Sequence, residues 1–306
     1  CVFFKLKKKK EIITITYNDL GISWGPAIHY LELWNEFYLK FSDQYSIKGY
    51  APSWTRMDPI IKNQFPLSLI KVPNIPRMRQ LLYDLYLCFV LIKHRKKMIY
   101  LRVSTSFFTI YIIRLFRITL ITELNGINAY DATSSNKQSW FKVIVDKSEK
   151  MLLKLSKGVI SVSQQITDYA KLNTRSCTST IYNGVGRHFF ESSSVLSSND
   201  LLRIIYVGTY TAWDGAELIP QLAKSFPDIQ FIMVGDGLRK AEIQKSAPKN
   251  VVFYGFTSYD QLPSFYQRSD AGIVLYEQKR HEKVETSSLK TLEYIASGLP
   301  VFSTNI

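Results

Sequence analysis

Two hydrophobic periods alternate along this chain. Short runs of β-branched and apolar residues, such as residues 11–17 and 202–207, are typical of buried strands. Longer stretches with apolar residues three or four positions apart, such as residues 27–41 and 140–155, predict amphipathic helices. Strand and helix follow each other at short spacing over the whole chain. The pattern therefore predicts an α/β protein with parallel sheets that carry helices on both faces.

A serine-rich stretch separates two similar halves of this pattern. We expect a first domain over residues 1–190, a linker over residues 191–200 and a second domain over residues 201–306. In open parallel sheets, ligands bind outside the carboxyl ends of the strands. The expected ligand site is therefore a cleft between two doubly wound domains.

The charge of the chain is uneven and points to an anionic partner. Its 306 residues carry a net charge of +14. Residues 1–190 hold 28 Lys/Arg against 12 Asp/Glu, which is +16, whereas residues 191–306 hold 11 against 13, which is −2. An anionic membrane surface is one interpretation, since polybasic segments gain about 1 kcal/mol per Lys/Arg there. A solvated basic surface is the other, and no nucleic-acid-binding motif accompanies the charge.

Cysteine and histidine usage predicts no metal site. Cys1, Cys88 and Cys177 form no C-x-x-C pair, which is typical of a reducing, cytoplasmic compartment. We expect no cofactor and no required metal. No apolar run reaches the roughly 20 residues of a membrane span. Because the chain starts at Cys1 and stops at Ile306 just after a predicted strand, we expect a fragment of a longer protein.

The stretch over residues 284–305 holds most of the candidate chemistry. Glu285 and Glu293 are separated by seven residues, and the Ser/Thr residues 286–288 are suitable N-caps for a helix over residues 289–296. A helix start offers unpaired N–H groups and the positive end of its dipole to a phosphate. A helical interval between the two acids would rise roughly 12 Å. This suits acids at opposite ends of a nucleotide diphosphate-sugar.

The end of this predicted helix completes a recognisable motif. Gly298 stands where a helix C-terminus favours a left-handed residue, and Pro300 cannot continue the helix. Residues 287–301 resemble the S-P-L-K-x-x-E-Y-x-A-x-G-x-P-V variant of the E-x7-E element in retaining family-4 glycosyltransferases of the polysaccharide-biosynthesis type. The resemblance implies the GT-B fold, in which two Rossmann-like domains face a cleft.

The resemblance also implies roles for these residues. Glu285 would be the catalytic acid at the donor sugar, and Glu293 would hold the ribose. The donor-binding residues around the helix start would be Thr286, Ser287, Ser288, Leu289 and Lys290.

Other loops of the second half resemble family segments with one departure. The family commonly places Lys-Gly in the loop that begins near Thr209, but this chain has Trp213-Asp214-Gly215. Arg239 and Lys290 are then the candidate cations for the diphosphate. The resemblance places the turn at Phe256 beside the nucleotide base.

The first half resembles the acceptor side of the family more loosely. Asn125 stands where the family often has a histidine that bonds the donor sugar, and an amide can bond a sugar but cannot shuttle a proton. Gly25 and His29 belong to the predicted acceptor-side loop, although a helix residue packed on the sheet is the more ordinary interpretation of His29. The helical pattern of residues 76–97 ends in a cationic cluster and suits packing on the sheet or a membrane interface.

Together these features predict a retaining glycosyltransferase of cell-surface polysaccharide or glycolipid synthesis. Its partners would be a nucleotide sugar and a glycan or lipid-linked acceptor, at the cytoplasmic face of the membrane. Three alternatives stay open: a nucleotide-sugar epimerase, a catalytically silent GT-B binding subunit, and, from charge alone, a nucleic-acid binder.

Overall fold

The two halves of the sequence form two compact units, which are Cys1–Tyr182 and Asn183–Ile306. The structure is a computed structural model. The described residues are 9–20, 25–54, 64–75, 78–127, 139–191, 201–210, 215–275 and 288–304, with the side chains of residues 139–141 left out. Glu285, Thr286, Ser287, Trp213 and Asp214 lie outside them.

The first unit contains a seven-stranded parallel sheet in the order β3-β2-β1-β4-β5-β6-β7. Its strands are β1 (Lys10–Ile15), β2 (Tyr45–Ser53), β3 (Leu67–Lys71), β4 (Met98–Arg102), β5 (Thr119–Leu124), β6 (Gly158–Ser161) and β7 (Cys177–Thr180). Its helices are α1 (Gly25–Phe41), α2 (Arg79–Lys93), α3 (Thr109–Leu115), α4 (Ser139–Leu155) and α5 (Gln164–Asn173).

Helices cover both faces of this sheet. Ile13 of β1 belongs to a buried cluster with residues of α2, α3 and α4, whereas Ile12 belongs to a second cluster with residues of α1. Successive side chains of a strand point to opposite faces. Helix α1 therefore covers one face, and α2, α3 and α4 cover the other.

The second unit contains a five-stranded parallel sheet in the order β10-β9-β8-β11-β12. Its strands are β8 (Leu202–Val207), β9 (Ile229–Val234), β10 (Val251–Tyr254), β11 (Ala271–Val274) and β12 (Val301–Ser303). Its helices are α6 (Ile219–Ser225), α7 (Lys240–Ser246), α8 (Leu262–Tyr266) and α9 (Leu289–Ala296), with 3-10 turns at Arg187–Phe189, Ala216–Leu218 and Tyr259–Gln261.

The predicted α/β class with two parallel sheets is confirmed. The division before Asn183 lies earlier than the predicted end of the first domain at residue 190. Phe189 explains the difference, because its fully buried ring packs against the rings of Tyr259 and Tyr266 in the second unit. Among the helices that the structure describes, none has the length and apolarity to cross a membrane.

Candidate functional site

Helix α9 begins and ends where the sequence predicts. Ser288 is its N-cap and accepts a hydrogen bond of 3.4 Å from the backbone N–H of Thr291. Gly298 follows the helix with a φ of 77°, a left-handed value that glycine adopts without steric cost. The helix starts after β11 on the carboxyl side of the parallel sheet. Its first N–H groups therefore lie at the edge where ligands bind in such folds.

Two side chains of α9, Lys290 and Tyr294, contact the end of the central strand β8. The Tyr294 hydroxyl accepts a hydrogen bond of 2.9 Å from the N–H of Val207. Lys290 Nζ lies 4.9 Å from the ring centroid of Tyr206, and a Cβ on Gly208 would come within 3.1 Å of that Nζ. The Lys290 ammonium therefore lies beside the first residues of the loop that contains Thr209.

The loops after β8 and β9 lie in backbone contact with each other. Tyr210 N–H donates to the Asp236 carbonyl at 3.0 Å, and Gly208 N–H donates to the Val234 carbonyl at 3.1 Å. Gly235 has a φ of 133°, and a Cβ there would lie 2.0 Å from the Gly208 carbonyl oxygen. Only glycine fits this position. Thr209 is thus held exposed at the carboxyl edge, where a nucleotide would lie in the predicted site.

The side chain of Glu293, on the same helix, is buried in the second unit and is not exposed to solvent. It is 6% exposed, and its Oε2 accepts a hydrogen bond of 2.9 Å from the Tyr266 hydroxyl. Burial raises the pKa of the Glu293 carboxyl to about 7, although the hydrogen bond from Tyr266 and the charge of Lys290 act in the opposite direction. A protonated carboxyl both donates and accepts hydrogen bonds, whereas a carboxylate only accepts. The Glu293 side chain can therefore hydrogen-bond a diol whether it is protonated or ionised.

Arg239 is engaged by two carboxylates. Its Nη2 and Nε donate to the two oxygens of Glu242 at 3.0 and 3.1 Å, and its Nη1 lies 3.4 Å from Glu217 Oε1. The predicted role of Arg239 as a diphosphate ligand would require the exchange of at least one of these partners. The sequence does not reveal Glu217 as a partner, because it lies on a different element.

Phe256 lies in the turn after β10, and this turn is tied to the loop after β9. Its side chain is 56% exposed, and the carbonyl of the preceding Gly255 accepts a hydrogen bond of 3.2 Å from Gly235 N–H. The turns after β8, β9 and β10 therefore form one continuous edge. The position of Phe256 is compatible with its predicted place beside a nucleotide base, which stays a prediction.

In the first unit, Glu123 joins two of the predicted residues. Its Oε1 lies 3.1 Å from His29 Nε2 and also accepts a hydrogen bond from the Asn125 amide. Its Oε2 accepts a hydrogen bond of 2.8 Å from the Tyr100 hydroxyl, and Arg102 Nε lies 3.9 Å from Oε1. Arg102 in turn donates to the carbonyl of Pro26, next to Gly25 at the start of α1, at 2.8 Å.

Glu123 is ionised at any ordinary pH. Burial alone would raise its pKa, but the hydrogen bond from His29, the charges of Arg102 and His29, and the bond from Asn125 lower it to about 2. The sequence pattern gives Glu123 no role. Arg102 and Glu123 are register partners between β4 and β5, and this pairing places the two side chains next to each other.

The structure thus forms two polar centres, one in each unit. In the second unit Lys290 lies beside the loop of Thr209, and Glu293 of the same helix is buried against Tyr266. In the first unit His29 and Asn125 both contact Glu123. Among the described side chains, no group of three or more His, Cys, Asp or Glu is arranged to hold a metal ion.

Comparison with known proteins gives a family for the second unit and a fold for the chain. Residues 190–306 match the family model described as glycosyl transferases group 1, so this part carries a domain of that kind. No curated protein matches the sequence.

Solved structures that resemble the chain confirm the GT-B fold. Sucrose-phosphate synthase from Thermosynechococcus elongatus has a TM-score of 0.72 at 16% identity, over 96% of this chain and 81% of that protein. Anabaena HepE in complex with UDP and glucose has a TM-score of 0.67 at 15% identity, over 95% and 80%. The trehalose-6-phosphate structure from E. coli, bound with UDP-2-fluoro glucose, has a TM-score of 0.65 at 10% identity, over 96% and 84%.

Proposed function

From the glycosyl transferases group 1 domain in the second unit, we propose that this chain is a retaining glycosyltransferase. It moves a sugar from a nucleotide diphosphate donor to an acceptor hydroxyl. The observation that carries the proposal is the carboxyl edge of the second sheet, where the start of α9, the Lys290 ammonium and two tightly joined loops converge within that domain. The Anabaena HepE structure with UDP and glucose and the E. coli structure with UDP-2-fluoro glucose share the fold and agree with this donor class.

Different residues would bind the diphosphate, the ribose and the donor sugar. The N–H groups of Ser288, Leu289 and Lys290 and the Lys290 ammonium would bind the diphosphate, so that the reaction needs no metal. Glu293 would bond the ribose diol. Glu285, with Thr286 and Ser287, would face the donor sugar, and this assignment rests on the motif alone.

The proposed reaction keeps the configuration at the anomeric carbon. The bond between that carbon and the diphosphate oxygen breaks, and its electron pair leaves with the diphosphate. The acceptor oxygen forms its bond on the same face, and its proton passes to the leaving phosphate. We propose a glycan or a lipid-linked glycan as acceptor, bound by the first unit near Asn125 and His29 at the cytoplasmic face of the membrane.

The first experiment is a calorimetric titration of the chain with UDP, GDP, ADP and their common sugars. We expect one nucleotide to bind selectively and Glu293→Ala to abolish that binding. The exposed Asp228→Ala variant of the same unit serves as the matched control and should bind normally. A protein that binds no nucleotide, or a Glu293→Ala variant that binds as well as the parent, would contradict the donor site.

Measurement of turnover then distinguishes sugar transfer from epimerisation of the nucleotide sugar. Glu285→Gln should lower the rate of sugar transfer by about a hundredfold or more while the nucleotide still binds. Release of an epimerised nucleotide sugar without any acceptor would instead assign the same fold to epimerisation.

A silent binding subunit is the second candidate, and the pairing of Arg239 with Glu217 and Glu242 favours it. In that case Arg239 is unavailable to the diphosphate, and the Trp213-Asp214-Gly215 loop supplies no lysine. Glu242→Gln would weaken the hold on Arg239. A marked rise in UDP affinity in this variant, together with no turnover in the parent, would support the silent subunit.

A further inference from the structure

The outer side of two helices in the first unit combines exposed apolar side chains with exposed cations. Phe89 of α2 and Tyr111 and Leu115 of α3 are 73%, 66% and 72% exposed. Further exposed apolar residues on these helices and at their ends are Leu85, Tyr86, Phe108 and Phe116. These seven residues define the α2–α3 surface. Isolated exposed apolar residues need no explanation, but a contiguous patch marks an interaction site.

The two helices form one continuous surface. Helices α2 and α3 pack side by side, and the inner residues of both, among them Leu87 and Ile113, share one buried cluster over the sheet. The guanidinium of Arg95, just after α2, lies 5.5 Å from the ring of Phe116, just after α3. The apolar rows are therefore joined at one end by a cation–π contact.

The charge of this surface has one sign. Residues 85–122 contain no Asp/Glu and seven Lys/Arg, of which Arg102 is buried beside Glu123 and Lys97 pairs with Glu11. The exposed cations around the helix ends are Lys93, Arg95, Lys96, Arg114 and Arg117. Both helices connect parallel strands, so their C-terminal ends lie at the same edge of the sheet and gather these cations there.

The acid that precedes this segment does not offset the charge. Asp84 is fully buried and accepts hydrogen bonds from the Tyr17 and Thr109 hydroxyls and from backbone N–H groups at the start of α3. It stabilises the pair of helices internally and presents no charge to a partner.

We propose that the α2–α3 surface binds an anionic lipid bilayer, with Phe89, Tyr111 and Leu115 in the interfacial region and the cations at the lipid headgroups. A bilayer supplies both apolar and anionic contacts in one plane. A second copy of the chain would place like charges against each other. A nucleic acid would pair with the cations but leave the apolar rows in water. The proposal deepens the membrane location given above, yet it rests on this surface and not on transferase activity.

The test is co-sedimentation of the full chain with vesicles of phosphatidylcholine alone or with added phosphatidylglycerol, without any nucleotide. We expect binding only to the anionic vesicles and weaker binding at high salt. The variant Phe89→Ser/Tyr111→Ser/Leu115→Ser should bind at least about tenfold more weakly. Arg114→Gln with Arg117→Gln should weaken binding by about fivefold per charge.

Leu39→Ser is the matched control, because Leu39 is 58% exposed on α1, which covers the other face of the same sheet. It should bind like the parent, and circular dichroism should show that all variants are folded. Equal binding of the triple variant and the parent would overturn the proposal. So would absence of binding to anionic vesicles, or binding to a DNA duplex that exceeds binding to vesicles. Because no nucleotide is present, these outcomes are independent of sugar transfer.

Discussion

Each unit of this protein has a buried glutamate near the carboxyl edge of its sheet, Glu123 in the first and Glu293 in the second, and the two differ in charge. Glu123 and Glu293 are 2% and 6% exposed, and each accepts a hydrogen bond from a tyrosine hydroxyl, at 2.8 and 2.9 Å. Yet the pKa of Glu123 is lowered to about 2, whereas the pKa of Glu293 is raised to about 7. Burial and a tyrosine partner are common to both, so neither explains the difference.

The remaining partners explain it. Burial favours the neutral acid in both places. Around Glu123 it is outweighed by His29, Arg102 and Asn125, which all bond or attract the carboxylate. Around Glu293, among the residues that the structure describes, the Tyr266 hydroxyl and the charge of Lys290 oppose burial, and burial prevails. Glu123 is therefore a permanent anion that holds its neighbours in place, whereas Glu293 can change its charge near neutral pH.

The largest expected effect comes from removing the cation at Glu123. Arg102→Met leaves the buried carboxylate without its guanidinium and removes the bond to the Pro26 carbonyl. We expect the first unit to lose about 3–5 kcal/mol of stability, since breaking a buried ion pair strands a charge. Hydrogen exchange of the β4 and β5 amides would measure the loss for this unit alone.

The double variant Arg102→Met/Glu123→Gln is the control for this explanation. It removes the stranded charge as well and should recover part of the stability. A loss of stability below about 1 kcal/mol in Arg102→Met would show that the attraction between the Arg102 guanidinium and the Glu123 carboxylate is weak. In that case hydrogen bonds alone keep Glu123 ionised.

The second prediction replaces each of the two glutamates with glutamine. We expect changes in stability of opposite sign in the two units. The folded pKa of Glu123 lies below the ordinary value of 4.5, so its charge stabilises the fold above pH 4.5, and this contribution is lost as the pH falls towards 2. The folded pKa of Glu293 lies above 4.5, so the fold loses stability as the pH rises from 4.5 to 7.

At pH 8, Glu123→Gln should therefore destabilise the first unit and Glu293→Gln should stabilise the second, each by up to about 3 kcal/mol. Hydrogen exchange of β5 and β8 amides between pH 5 and pH 8 would report both. At pH 5, where Glu293 is protonated, Glu293→Gln should have little effect. The same sign for both variants at pH 8 would refute the difference in charge.

The periodicity of the sequence was sufficient to predict which segments form strands and helices, but not where each of them begins and ends. Strand β8 and helix α9 have the predicted bounds, because apolar period and capping residues are local properties. The predicted helix over residues 27–41 instead begins two residues earlier, at Gly25. Phe189 belongs to the second unit through its contacts with Tyr259 and Tyr266, which are distant in sequence.

The candidate site was predictable where it follows a local motif. Ser288 caps α9 as expected. The burial of Glu293 could not be foreseen, since it depends on Tyr266 from another helix. The engagement of Arg239 by Glu217 likewise joins separate elements. The role of Glu123 depends on the register between β4 and β5, which the sequence pattern leaves undetermined.

The smallest expected effect comes from removing the tyrosine hydroxyl that bonds each carboxylate, which is Tyr266 for Glu293 and Tyr100 for Glu123. The Tyr266 hydroxyl bonds the charged form of Glu293 and lowers its pKa, so Tyr266→Phe should raise that pKa further above 7. Tyr100→Phe should leave Glu123 ionised, because His29, Arg102 and Asn125 remain. Each variant should cost about 1 kcal/mol. A pH series of hydrogen exchange would detect a shifted midpoint in the second unit and none in the first. An unshifted midpoint in Tyr266→Phe would mean that the hydrogen bond from Tyr266 does not contribute to the pKa of Glu293.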